Sequence, residues 1–226
     1  MQGIVIQGPT IYYKEMVEAY KDFSDVVWST WEDEPSENLN YIKQFFPIIL
    51  SPKPSFPGYL NVNLQTVSTM GGIEYLIEQG VTEILKVRGD IICDNLSYLL
   101  SLLKGKQMAY LVKSKEGARP LFYELEYRHY SHDYPADLIM YGSSENIKSS
   151  FNFTIEEQHI IPPESLIAYQ YFKENQLEFN LNYKHCINNG IHFFLQDCLD
   201  NNIKIFWLKN KAEIVDGHKN KKHFAY

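Results

Sequence analysis

The chain has 226 residues, 45% of them hydrophobic and 15% aromatic, which is enough to bury one substantial core and fits one large domain better than two small ones. A formal net charge of −7 argues against a surface built to neutralise a phosphodiester backbone, so no nucleic-acid partner is expected. Cys93, Cys186 and Cys198 lack CxxC spacing, no run approaches the roughly 18 apolar residues of a membrane span, and Met1 to Pro9 carries no basic, apolar leader; a reduced, cytoplasmic setting is expected.

In chain order, Ile4-Val5-Ile6 reads as a buried strand stopped by the turn Gln7-Gly8-Pro9. Tyr13, Met16, Val17, Tyr20 and Phe23 then form one helical stripe, and Asp25 to Thr30 a second strand. A short helix with Leu39, Ile42, Phe45 and Phe46 precedes a third strand, Pro47 to Ser51. After a proline-rich loop, a helix beginning near Asn63 carries Leu64, Val67, Met70, Ile73, Leu76 and Ile77 and closes at Gly80; Ile84 to Arg88 is the fourth strand. This β-α-β-α-β order implies an α/β fold with a mostly parallel sheet flanked by helices.

Further on, the pattern predicts a helix over Leu96 to Leu103 and strands over Ala109 to Val112 and Leu121 to Leu125, these two pairing antiparallel. Ala136 to Tyr141 is another apolar run. Pro163 opens a helix with Leu166, Tyr169 and Phe172 on its apolar face. One helix over about Tyr183 to Leu199, a strand over Ile203 to Leu208 and a basic tail over 211–226 complete a single expected domain, 1–226.

In such a sheet, ligands bind beyond the carboxyl ends of the strands. Four ends bring together Gln7-Gly8-Pro9, Ser29-Thr30-Trp31, Ser51-Pro52 and Arg88-Gly89-Asp90. Lys86 and Arg88, two apart, share one face of the fourth strand while Leu85 and Val87 share the other. The two cations suit an anionic ligand, with Asp90 holding a divalent ion or a hydroxyl; the bland alternative is an internal ion pair among Lys86, Arg88 and Asp90 or Glu83.

The succession Ile4 to Pro9, Ser29-Thr30-Trp31-Glu32, Asn61-Val62-Asn63-Leu64-Gln65 and Leu85 to Asp90 resembles the WavE lipopolysaccharide-synthesis family. The layout is also similar to that of GT-A (nucleotide-diphospho-sugar transferase-like, Rossmann-like) glycosyltransferases, whose fourth strand ends in a metal-binding Asp-x-Asp. The resemblance covers the first half of the chain strongly, and extends weakly to Asp137 to Gly142 and Pro163 to Leu166.

It implies transfer of a sugar from a nucleotide-sugar donor to a glycan or lipid-linked acceptor in surface polysaccharide synthesis, with residues 1–93 as the donor-binding half and 94–210 as the acceptor side. Gln7, Gly8, Pro9, Thr30, Asn63, Lys86 and Arg88 are then expected at the donor. Glu164 is the first candidate for catalytic base and Asp137 the second, against a plain helix-dipole role for Glu164 and a turn role for Asp137. Local turn and cap bonding is the alternative for Gln7, Thr30 and Asn63, and a core-edge position the alternative to ligand stacking for Trp31.

Here Asp-x-Asp reads Arg88-Gly89-Asp90, a cation replacing the first carboxylate. Either Mg²⁺ or Mn²⁺ bridges Asp90 and the donor diphosphate, the version favoured by the resemblance, or Lys86 and Arg88 meet the leaving group's charge without metal. His218 and His223 sit in a lysine-rich tail that reads as solvated, its lysines suited to peripheral contact with an anionic lipid surface. A nucleotidyltransferase that makes a sugar nucleotide and a non-catalytic glycan- or nucleotide-binding module are the competing functional readings.

Overall fold

A computed structural model of the chain describes residues 1–111, 113–114, 134–135, 137–156, 163–178, 183–210 and 212–213. The first half alternates strand and helix as its hydrophobic pattern requires: β1 (Gln2–Gln7), α1 (Tyr13–Tyr20), β2 (Val26–Trp31), α2 (Ser36–Ile42), β3 (Ile48–Ser51), α3 (Val62–Glu78) and β4 (Glu83–Arg88). The second half supplies β5 (Ile91–Cys93), α4 (Leu96–Leu103), β6 (Met108–Tyr110), β7 (Lys113–Ser114), β8 (Tyr134–Pro135), β9 (Ile139–Ser143), α5 (Ser144–Phe151) and α6 (Pro163–Glu174). It ends in α7 (Tyr183–Asn188), β10 (Ile191–Phe193), α8 (Leu195–Asp200), β11 (Ile205–Trp207) and β12 (Ala212–Glu213).

The main sheet runs β10-β6-β9-β4-β1-β2-β3 and is parallel except for β9, which lies antiparallel to both of its neighbours. The expected mostly parallel α/β sheet is therefore present. Helices cover both faces, which is why β1 and β2 read as nearly continuous buried runs rather than alternating ones. On one face Ile4, Ile6, Trp28, Leu85 and Val87 pack with Met16, Ile42 and the leucines of α4; on the other Val5, Val27, Ile84 and Met140 pack with Ile73, Phe151 and Phe172. Leu85 and Val87 thus occupy the face opposite Lys86, as the strand period demands. A second, three-stranded sheet, β12-β11-β5, sits beside the exit of β4.

Two expectations change, one element is added and one expected strand falls outside the described residues. The single helix over Tyr183 to Leu199 is interrupted: Gly190 takes φ 79°, ending α7, and Ile191 to Phe193 leave as a sheet strand before α8 begins. In α6 the buried apolar residues are Ile167, Ala168, Tyr171 and Phe172, whereas Tyr169 is 43% exposed, so of the expected face only Phe172 is fully covered. Helix α5 has no counterpart among the sequence expectations; it is capped by Ser143 Oγ, which accepts from Asn146 N at 3.3 Å, and it buries Ile147, Ser150 and Phe151. Met108 to Tyr110 pairs with β9 and β10, while the strand expected over Leu121 to Leu125 lies outside the described residues. Among the described residues no helix is long and apolar enough to cross a membrane.

Candidate functional site

The exits of β1, β2 and β4 lie side by side, with Gln7 in register with both Ser29 and Arg88. Gly89 N–H donates to Gln7 O at 2.8 Å, and a Cβ at Gly89 would stand 3.0 Å from the carbonyl oxygen of Pro9. The end of β4 is therefore pressed against the first turn so closely that a side chain at Gly89 would require the turn to give way. That turn is held from the other side too: Thr10 N–H and Oγ1 both donate to Glu34 Oε2 (2.9 and 2.5 Å), and Trp28 Nε1 donates to Gly8 O at 3.1 Å. Bonded from several directions, this rim is preorganised.

Arg88 and Asp90 form the outer part of the site. Arg88 Nη2 donates to Asp90 Oδ2 at 2.9 Å, Trp207 Nε1 donates to the same oxygen at 2.7 Å, and the guanidinium lies 5.2 Å from the Trp207 ring centroid. The β11–β5 pairing places Trp207 opposite Ile91, and Leu208 N–H donates to Asp90 O at 2.8 Å, so backbone register delivers the indole. Asp90 Oδ1 is buried and has no hydrogen-bond partner among the described residues.

Lys86 forms the inner part. Its side chain is fully buried; Nζ donates to Asp137 O at 2.7 Å, lies 3.5 Å from Asp137 Oδ2 and sits 5.7 Å from the Phe151 ring centroid. Burial lowers its pKa and the neighbouring Asp137 charge opposes that shift. Gln65 Nε2, from a half-buried side chain, donates to Asp137 Oδ2 at 2.6 Å and braces the buried Lys86–Asp137 pair. The expectation that Lys86 and Arg88 jointly face a ligand is corrected accordingly: they share a face of the strand, but α5 covers Lys86 and its charge is spent on Asp137. The internal-pair alternative is realised once, as Arg88–Asp90, whereas Lys86 takes a partner outside that expected set, Asp137.

Glu164, half-buried in the first turn of α6, joins this group electrostatically. Burial pushes its pKa up to about 7, helped by the negative charge of Asp137 and opposed by its own backbone hydrogen bond and by Arg88 and Lys86. A carboxyl poised near neutrality can take and return a proton, unlike a solvated first-turn glutamate whose role is confined to the helix dipole.

The remaining expected residues divide. Gln7, Gly8 and Pro9 stand at the rim, although Gln7 Nε2 donates to Ser68 Oγ at 3.0 Å and only Pro9 is exposed. Thr30 and Trp31 are buried, at 0% and 5% exposure, which places them in the wall rather than on a ligand surface. Asn63 is neither a cap nor free. Asn61 precedes α3, and the Asn63 amide donates to Phe56 O and Ile155 O (2.9 and 2.7 Å) and accepts from Ile155 N (2.9 Å). His218 and His223 lie outside the described residues. Sequence reasoning gives no role to Trp207 or Gln65, although Trp207 lies in an expected strand and Gln65 ends one of the motifs carrying the resemblance.

A divalent cation held by the protein fits this donor set poorly. Hard cations take about six oxygen ligands, whereas Asp90 offers one oxygen already engaged by a guanidinium and an indole and one with no accessible surface. Among the described residues no three His, Cys, Asp or Glu side chains gather as a metal site.

No family model and no curated protein matches the chain. Among solved structures, the chain is similar to glucosyl-3-phosphoglycerate synthase from Mycobacterium tuberculosis, in complex with Mn²⁺, UDP-glucose and phosphoglyceric acid, at 11% identity over 85% of this chain and 68% of that one with a TM-score of 0.49. It is also similar to an active-site mutant of LgtC (11% identity, 85% and 72% covered, TM-score 0.46) and to a cytidylyltransferase from Leptospira borgpetersenii (14% identity, 80% and 76% covered, TM-score 0.40).

Proposed function

We propose that the chain is a GT-A-type glycosyltransferase that moves a sugar from a nucleotide-sugar donor to a glycan or glycolipid acceptor, the role in surface polysaccharide synthesis implied by its resemblance to the WavE family. The observation supporting this most directly is Glu164, a carboxyl raised to about 7 beside Asp137 and Arg88 at the edge of a mostly parallel sheet where ligands bind. In this reading the donor diphosphate lies over the exits of β1 and β4, facing Arg88. The acceptor hydroxyl attacks the anomeric carbon and gives its proton to Glu164. The bond from that carbon to the diphosphate oxygen breaks, its electron pair leaves with the nucleoside diphosphate, and Arg88 meets the developing charge. Asp137, 2% exposed and bonded to Gln65, positions rather than reacts.

The test is release of nucleoside diphosphate from a panel of nucleotide sugars, with and without acceptor glycans. Glu164→Gln is expected to cut turnover by roughly 10²- to 10⁴-fold while nucleotide binding survives. Full activity in that variant removes Glu164 from the chemistry. If no nucleotide sugar is turned over, and a nucleoside triphosphate with a sugar phosphate yields pyrophosphate instead, the glycosyltransferase reading fails.

A further inference from the structure

We propose that this site takes its nucleoside diphosphate on the Arg88 guanidinium without a divalent cation, with Asp90 and Trp207 acting as positioning residues that hold the guanidinium. The proposal rests on the nucleotide-sugar reading of the site and chooses one of the two ways its charge could be handled.

The geometry of Asp90 carries the argument. A metal bound through Oδ2 would have to displace both the Arg88 and the Trp207 N–H groups, at 2.9 and 2.7 Å. A metal bound through Oδ1 would have to open a space that the folded chain keeps closed, since that oxygen has no accessible surface. Either route also sets a divalent cation beside a fixed guanidinium, a like-charge contact.

Arg88 is placed as an anion receptor would need it. A guanidinium presents five N–H groups in a planar fork; Asp90 takes a hydrogen bond from Nη2, and the side chain keeps 26% of its surface exposed. Trp207 approaches the guanidinium while its N–H shares the Asp90 charge, leaving less of that charge to cancel the cation. The arrangement is fixed through the backbone: Ile91 pairs with Trp207, Leu208 N–H donates to Asp90 O, and Gly89 is clamped to the first turn. The guanidinium is thus ordered before the ligand arrives, which lowers the entropic cost of binding.

The experiment is equilibrium binding of UDP, GDP, CDP and ADP to the full chain, in EDTA and in Mn²⁺, measured by calorimetry. The tightest of these nucleotides is expected to bind with Kd values within about threefold of each other in the two buffers. Arg88→Ala should weaken it about 10- to 100-fold and Arg88→Lys, which keeps the charge but loses the fork, about tenfold. Asp90→Asn should cost less than Arg88→Ala, and by the same factor in EDTA and Mn²⁺; a loss seen only in Mn²⁺ would identify a metal ligand and overturn the proposal. Unaltered binding by Arg88→Ala, with its fold verified by circular dichroism, overturns it as well. Binding that appears only with Mn²⁺ defeats this inference and leaves the glycosyltransferase reading standing, whereas binding of no nucleotide in either buffer defeats both.

Discussion

Lys86 and Arg88 are both basic, stand two residues apart and point to the same side of one strand, yet they end in different environments. Lys86 is enclosed by Phe151 and Asp137 and reaches no solvent; Arg88 stays partly exposed at the rim against Trp207. Depth along the strand, rather than charge, separates their work. The inner pair is a structural commitment, because a buried ion that loses its partner leaves an uncompensated charge in a low-dielectric interior. In the outer pair Asp90 is nearly as enclosed, and it is the partly solvated Arg88 that remains available to a ligand.

The sharpest way to separate the two is Lys86→Ala, which strands Asp137 in the interior and should lower stability by about 3–5 kcal/mol in denaturant unfolding. A loss as small as that of an exposed lysine would mean that Lys86 is not sealed. Trp207→Phe keeps an aromatic ring beside Arg88 but removes the buried N–H to Asp90; it should weaken nucleotide binding by about tenfold and lower stability by about 1–3 kcal/mol. Unaltered nucleotide binding in that variant would make the rim purely structural.

The smallest expected effect concerns Glu164. Its folded pKa of about 7 lies above the ordinary value of 4.5, so the folded state holds its proton more tightly than the unfolded chain. The stability this contributes is full below about 4.5 and is lost as pH rises to about 7. Glu164→Gln, which mimics the protonated form, should therefore be more stable than the parent at pH 8, by about 1 kcal/mol after allowing for partial solvation, and the two should converge at about pH 4. Transfer by the parent should rise with pH through the same interval, since the base acts deprotonated.

The parts of the fold legible in the sequence are those governed by local periodicity. The apolar runs of β1 to β4, the leucines of α4 and the strand at Ile205 each declare themselves within a few residues, and the parallel direction of the first-half strands follows from their alternation with helices. Helix α3 shows where this stops: Thr66, Ser68, Thr69 and Gly72 are buried on it, while Leu64, Val67 and Met70 are less completely covered or left to its flanks, so small residues set the close approach to the sheet. The candidate site is legible as a set of strand ends and an acidic helix start. Its wiring is not. Lys86 meets Asp137 across 51 positions and Asp90 meets Trp207 across 117, and no local pattern encodes such partners. Asn63 misleads for the same reason, its amide being spent on Ile155, 92 positions away.

The reversed direction of β9 has a consequence for how the site is supplied with side chains. Parallel strands offer a ligand only the chain that leaves them, but β9 runs the other way against β4, so the segment reaching the same edge is the one that enters it, at Asp137 and Leu138. The rim is assembled from outgoing and incoming chain at once. Arg88 leaving β4 and Asp137 entering β9 are thus brought to one edge by opposite chain directions, a meeting that a βαβ repeat alone does not supply.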